Sequence, residues 1–141
     1  MQNFLGIFSK SEVADMYEIS VRTLNSWINE IPELTRTLDK YGYYKNQKIF
    51  TPKQVEIIFK FIGTPIKEEN KPSKTFVEVP VRTYTKKETA LLYKISRKTL
   101  TKIIENIEEI SFLNNNHNKK YDFSEIETIF AYLGTPYREE K

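Results

Sequence analysis

Val55, Ile58, Phe59 and Ile62 recur at i, i+3, i+4 and i+7, the period of a helix with one face against a core. The stripe returns 71 residues on as Ile126, Ile129, Phe130 and Leu133, and both stripes stop at Gly-Thr-Pro, as Gly63-Thr64-Pro65 and Gly134-Thr135-Pro136. Glycine after the last periodic residue suits a left-handed helix end, and the proline two places on prevents resumption. Thr51 and Asp122 are the predicted N-caps, with Pro52 in the first turn of the earlier helix.

An earlier stretch is doubled too. Ser9 to Ile31 shares ten of its 23 residues with Thr85 to Ile107: Lys10, Glu12, Ala14, Tyr17, Ile19, Ser20, Thr23, Leu24, Ile28 and Ile31 each have an identical partner 76 positions on. Ser9 with Glu12, and Thr85 with Glu88, have the spacing of a capping box. A short helix follows, then a turn at Glu18-Ile19 or Lys94-Ile95, then a second helix capped by Ser20 or Ser96. The second helix runs from about Val21 to Ile31 and buries Leu24, Ile28 and Ile31; its counterpart buries Leu100, Ile104 and Ile107. Pro32 ends it, and a further helical turn is expected between Leu34 and Leu38. Tyr43 to Phe50 reads as a short hairpin, with aromatic and β-branched residues flanking a polar turn.

The repeat divides the chain into a unit at 1–69, a linker at 70–81 and a unit at 82–141. The lead-in offers Phe4, Leu5 and Ile7 for packing, and Lys67-Glu68-Glu69 is echoed by Arg138-Glu139-Glu140 as a charged tail. Within the linker, Phe76, Val77, Val79 and Val81 are too apolar for a free tether and predict an extended segment laid against one unit.

The pattern Thr-x-x-Glu-x-Ala-x-x-Tyr-x-Ile-Ser-x-x-Thr-Leu resembles the start of MerR-like and excisionase-like DNA-binding domains. Glu88, Ala90, Ile95, Ser96, Thr99 and Leu100 carry the resemblance, with Glu12, Ala14, Ile19, Ser20, Thr23 and Leu24 in the first copy. It implies a mainly α fold of two tandem winged helix-turn-helix-like units, each of three helices and a short β-hairpin. It also implies duplex DNA binding, as a small transcriptional regulator or an excisionase-like architectural factor. Two features depart from the families: Tyr17 or Tyr93 stands where leucine is usual, and the Gly-Thr-Pro endings are not part of their pattern.

Charge sharpens this picture. The net charge of +3 is small, but residues 1–70 hold nine Lys/Arg and nine Asp/Glu while residues 71–141 hold 13 and 10, so the excess lies in the second copy. Opposite Leu100 and Ile104, its second helix carries Arg97, Lys98, Thr101 and Lys102, with Lys94, Lys86 and Lys87 around them and Lys119 and Lys120 beside an Asn-rich turn. Arginine can pair with guanine edges while lysine and backbone amides hold phosphates. The first copy offers Arg22, Asn25 and Ser26, with Lys45 and Lys48 in its hairpin. Glu105, Glu108 and Glu109 close the more basic helix. The rival reading is a non-catalytic module for a protein partner or self-association. It calls for an exposed apolar face at Trp27 and Ile103, where Trp27 is either core or contact surface.

No cysteine is present and the one histidine, His117, lies in an Asn-rich turn, so neither a metal site nor a nucleophile-base pair is built. No Gly-rich phosphate loop occurs. The expectation is a cytoplasmic protein with no enzymatic activity, cofactor, small-molecule substrate or membrane span.

Overall fold

The computed structural model describes residues 7–65 and 76–139, and the chain in it is mainly helical. Phe4 and Leu5 of the lead-in, the charged residues Lys67 to Glu69 and the polar start of the linker lie outside the described residues.

Each half starts with a cap. Ser9 accepts from the Glu12 amide while the Glu12 carboxylate accepts from the Ser9 amide at 2.8 Å, opening α1 (Lys10–Met16). Thr85 and Glu88 repeat this at α5 (Lys86–Leu92). Both helices end in the same six-residue closure. The Ile19 amide donates to Ala14 O and that of Glu18 to Asp15 O; Ile95 and Lys94 donate likewise to Ala90 and Leu91. That closure needs a left-handed residue, usually glycine. Here Glu18 and Lys94 take it, at φ 58° and 57°. The chain thus reverses sharply into α2 (Val21–Glu30) and α6 (Arg97–Glu105), capped by Ser20 and Ser96.

Where a single turn is expected after Pro32, the proline takes the first position of a full helix, α3 (Pro32–Lys40), which buries Leu34 and Leu38. The matching segment of the second half is a 3-10 helix, Glu108–Asn115, burying Ile110 and Leu113. The hairpin expected over Tyr43–Phe50 does not form either. A turn closes from the Gln47 amide to Tyr44 O at 3.0 Å. The strand after it, β2 (Ile49–Phe50), pairs antiparallel with β1 (Phe8–Ser9), in the register Phe8↔Phe50. The Gln47 side chain, 1% exposed, stands in for a partner strand: it donates to Ile49 O at 2.7 Å and to Gln54 Oε1 at 2.6 Å. In the second half, β5 (Lys120–Tyr121) pairs with β4 (Tyr84–Thr85). Each strand pair therefore ties the first helix of its half to the last, and no arm projects at Lys45, Lys48, Lys119 or Lys120.

The last helices, α4 (Pro52–Ile62) and α7 (Phe123–Leu133), have capping boxes at Thr51/Gln54 and Asp122/Glu125. They end at Gly63 and Gly134, but not in the left-handed helical cap expected: φ/ψ of 105°/152° and 91°/146° are extended mirror-image conformations, which only glycine adopts readily. The two departures noted in the sequence meet here. The Tyr93 hydroxyl donates to Gly134 O at 2.6 Å, and that of Tyr17 donates to Gly63 O. Tyr17 also meets Trp27 and Phe59 edge-on, at centroid distances of 5.8 and 6.2 Å, and Tyr93 meets Phe130 at 6.3 Å. The apolar part of the linker forms β3 (Phe76–Glu78), paired with β6 (Tyr137–Glu139) in the register Val77↔Arg138.

There are two cores, one mostly of each half, and they touch. Ile7, Tyr44 and Ile49 belong with the cluster around Ile103, Ile107 and Ile129, not with that of their own half. A Cβ on Gly42 would lie 2.8 Å from Ile103 Cγ2, and one on Gly134 would lie 2.7 Å from Lys53 N. Tyr41 packs on Tyr132 at 6.2 Å.

Three outcomes follow. Gly63, with nothing within 4 Å, and Gly134 both have positive φ, so their alanine variants separate conformational strain from the contact between halves. Urea unfolding should show a loss of about 1–3 kcal/mol for Gly63→Ala, and a loss about 1–3 kcal/mol larger for Gly134→Ala. Tyr93→Phe leaves the Gly134 carbonyl without its buried donor and should cost about 1–3 kcal/mol in the same assay. Burial raises the phenol of Tyr43 to about 12 and pushes those of Tyr17 and Tyr93 up further, while it lowers the ammonium of Lys10. A raised tyrosine contributes stability that is whole below about pH 10 and is lost as pH climbs through the folded value; the lowered Lys10 works the other way. Urea unfolding followed against pH should therefore show stability that holds to about pH 10 and then falls.

Candidate nucleic-acid interface

The first turn of α6 sets the site. Ser96 caps the amide of Thr99, which leaves the amides of Arg97 and Lys98 without a helical partner. Leu100, Ile103 and Ile104 are buried at 2%, 0% and 0% exposure, so the opposite face carries Arg97, Lys98, Thr101 and Lys102 into solvent. Lys94, at the left-handed turn, is exposed beside them. Among the described residues the ion pair within 4 Å is Lys53 with Glu56; none of these cations is in one.

Lys102 has another neighbour. Its ammonium sits 4.3 Å from the centre of the Tyr44 ring, in the first half of the chain. The C-terminal part of the α6 face is thus bordered by that half, and the open part is the first turn with Thr101. Ile103 is fully buried against Gly42 and its surroundings, and Trp27 is half-buried against Tyr17.

Two clefts flank β5, whose adjacent residues face opposite sides of the strand. One, of about 90 Å³, is lined by Lys86, Arg97, Leu100, Thr101, Asn114 and Tyr121. The other, of about 420 Å³ and wide open, is lined by Thr83, Asn118, Lys119, Lys120, Asp122 and Glu125. Lys120 thus faces away from the side of β5 that Tyr121 shares with Arg97, and the exposed Lys119 lines the same cleft as Lys120. Asn114 is fixed by donating to Thr101 O at 3.0 Å. Asn116 donates to both carboxylate oxygens of Glu125, at 3.1 and 2.9 Å, and so occupies the carboxylate nearest Tyr121. The Lys86 ammonium donates to Asn116 O and stands 5.5 Å over the Tyr121 ring.

In the first half Arg22 and Ser26 are exposed on α2 and Asn25 is half-buried. The side chains of Lys45 and Lys48 are exposed, while their carbonyls accept from the ammonium and the amide of Lys10. Sequence reasoning passed over Tyr121 and Asn114. The signal for Tyr121 was present: it takes the place of Phe50 at the 71-residue spacing.

Residues 5–65 match the family described as Domain of unknown function (DUF4248), a stretch that contains the first copy of the repeated pattern. No curated protein and no solved structure matches the chain. Among the described residues no helix is long and apolar enough to cross a membrane.

Proposed function

We propose that the chain binds duplex DNA, with α5 and α6 acting as a helix-turn-helix that presents the head of α6 to the major groove. In this reading the two halves are tandem units of one helix-turn-helix-like design, without projecting wings, and the second is the stronger reader. The observation that carries it is the exposed set Arg97, Lys98 and Thr101, in no ion pair among the described residues, around two helix amides without a helical partner. Arg97, Lys98 and Lys94 hold the duplex by its phosphates, and Lys119 and Lys120 extend the positive surface past β5. Lys102, held over Tyr44, borders the groove instead of entering it. Arg22, Asn25 and Ser26 on α2 form a second, less charged face. The role is that of a small regulator or architectural factor. A second reading, docking of a protein partner, is favoured by the exposed Leu91, Phe112 and Phe123 of the second half, at 64%, 62% and 55%.

The test is fluorescence anisotropy on labelled duplexes enriched from a random library. Arg97→Ala with Lys98→Ala should weaken binding by about tenfold or more and flatten the salt dependence by about two counterions. Arg22→Ala should cost less. No binding to any duplex, or binding indifferent to salt, removes this function and leaves partner docking as the reading to pursue.

A further inference from the structure

The repeat supplies an internal control for the smaller cleft. Lys10 and Lys86 do the same work in both halves. Lys10 donates to Lys45 O at 3.0 Å and covers Tyr43 at 5.0 Å, as Lys86 donates to Asn116 O and covers Tyr121. Around this shared lysine the other residues change in kind. Val21 stands in the first half where Arg97 stands in the second, Asn25 where Thr101 does, and Phe50 where Tyr121 does. Phe50 is fully buried and stacks on Tyr43 at 5.9 Å, so the fold at that point needs only a ring.

Tyr121 adds a hydroxyl to that ring. The residue is 2% exposed, and its hydroxyl makes no hydrogen bond among the described residues. No buried side-chain polar atom lacks a partner there, so the small exposure Tyr121 retains falls at its oxygen, in the cleft with Arg97 and Thr101. That oxygen is left for water or a ligand to satisfy. A volume of about 90 Å³ is roughly three waters' worth of liquid. The residues that line the space bring a guanidinium, an ammonium with donors to spare and two hydroxyls, together with Leu100 and Asn114.

We propose that this cleft is an anion pocket that seats one phosphoryl group. Arg97 and Lys86 supply the charge, and the hydroxyls of Tyr121 and Thr101 donate hydrogen bonds to its oxygens. Burial and Glu125 hold the Tyr121 phenol above its ordinary value, against the pull of Arg97, so it stays a donor at neutral pH. As a subsite of the duplex interface the pocket rests on the function proposed above; as an anion site it is measurable without DNA.

The experiment titrates the full chain with inorganic phosphate at fixed ionic strength and follows its amide and side-chain NMR spectra. It is repeated on Tyr121→Phe and Arg97→Val, each of which installs the residue that the first half already accommodates. Saturable shifts at Arg97, Thr101 and Tyr121 are expected, weakened by about tenfold in Tyr121→Phe, with the thermal midpoint unchanged. No saturable shift in the parent chain, or binding undiminished in both variants, overturns the pocket. The same proteins are then run against a duplex. Parallel loss of phosphate and duplex affinity in Tyr121→Phe identifies the phosphoryl group as one of the DNA backbone. Phosphate binding without duplex binding keeps the pocket, assigns it to a free phosphate compound, and removes the DNA function. Duplex binding that ignores both variants, with no phosphate titration, overturns the pocket alone.

Discussion

A tyrosine hydroxyl bonded to the last carbonyl of a distant helix organises each half of this chain. Tyr93 reaches Gly134 and Tyr17 reaches Gly63, 41 and 46 residues away. Helix ends leave carbonyls that water or a side chain must satisfy. Here the side chain comes from the residue that closes the first helix, so one bond ties the end of the last helix to the end of the first. The left-handed turn after each tyrosine then aims the second helix. The open face of α6, and everything proposed for it, inherits its direction from that chain of constraints.

The parts of the fold governed by local chemistry were legible in the sequence. Ser9, Ser20, Thr51, Thr85, Ser96 and Asp122 are caps, and Gly63 and Gly134 are terminators, because those residue types satisfy helix ends through neighbours a few positions away. What failed was pairing over distance. A strand of two residues carries too little pattern to reveal its partner. Ile49–Phe50 therefore read as half of a hairpin, when its mate is Phe8–Ser9 some 40 residues earlier. The extra helix after Pro32 was masked by reading the proline only as a stop.

For the candidate site the outcome divides along the same line. The exposed face of α6 follows from helical periodicity, so Arg97, Lys98 and Thr101 were in view from the start. Tyr121 was not, since a tyrosine beside two lysines in a short strand looks like ordinary core. Only its placement beside Arg97, set against Phe50 and Val21 in the other copy, shows that a polar group was put where the fold is content with an apolar one. The two copies thus record what the scaffold requires and, by difference, what it was given.

The halves are alike without being equal. Ile7, Tyr44 and Ile49 of the earlier half complete the core of the later one, and the bare backbone of Gly42 lies flat on Ile103. On a ribosome the earlier half emerges first, with its own core already whole. Its spare apolar edge then awaits the later half and can serve as a preformed seat on which that half condenses.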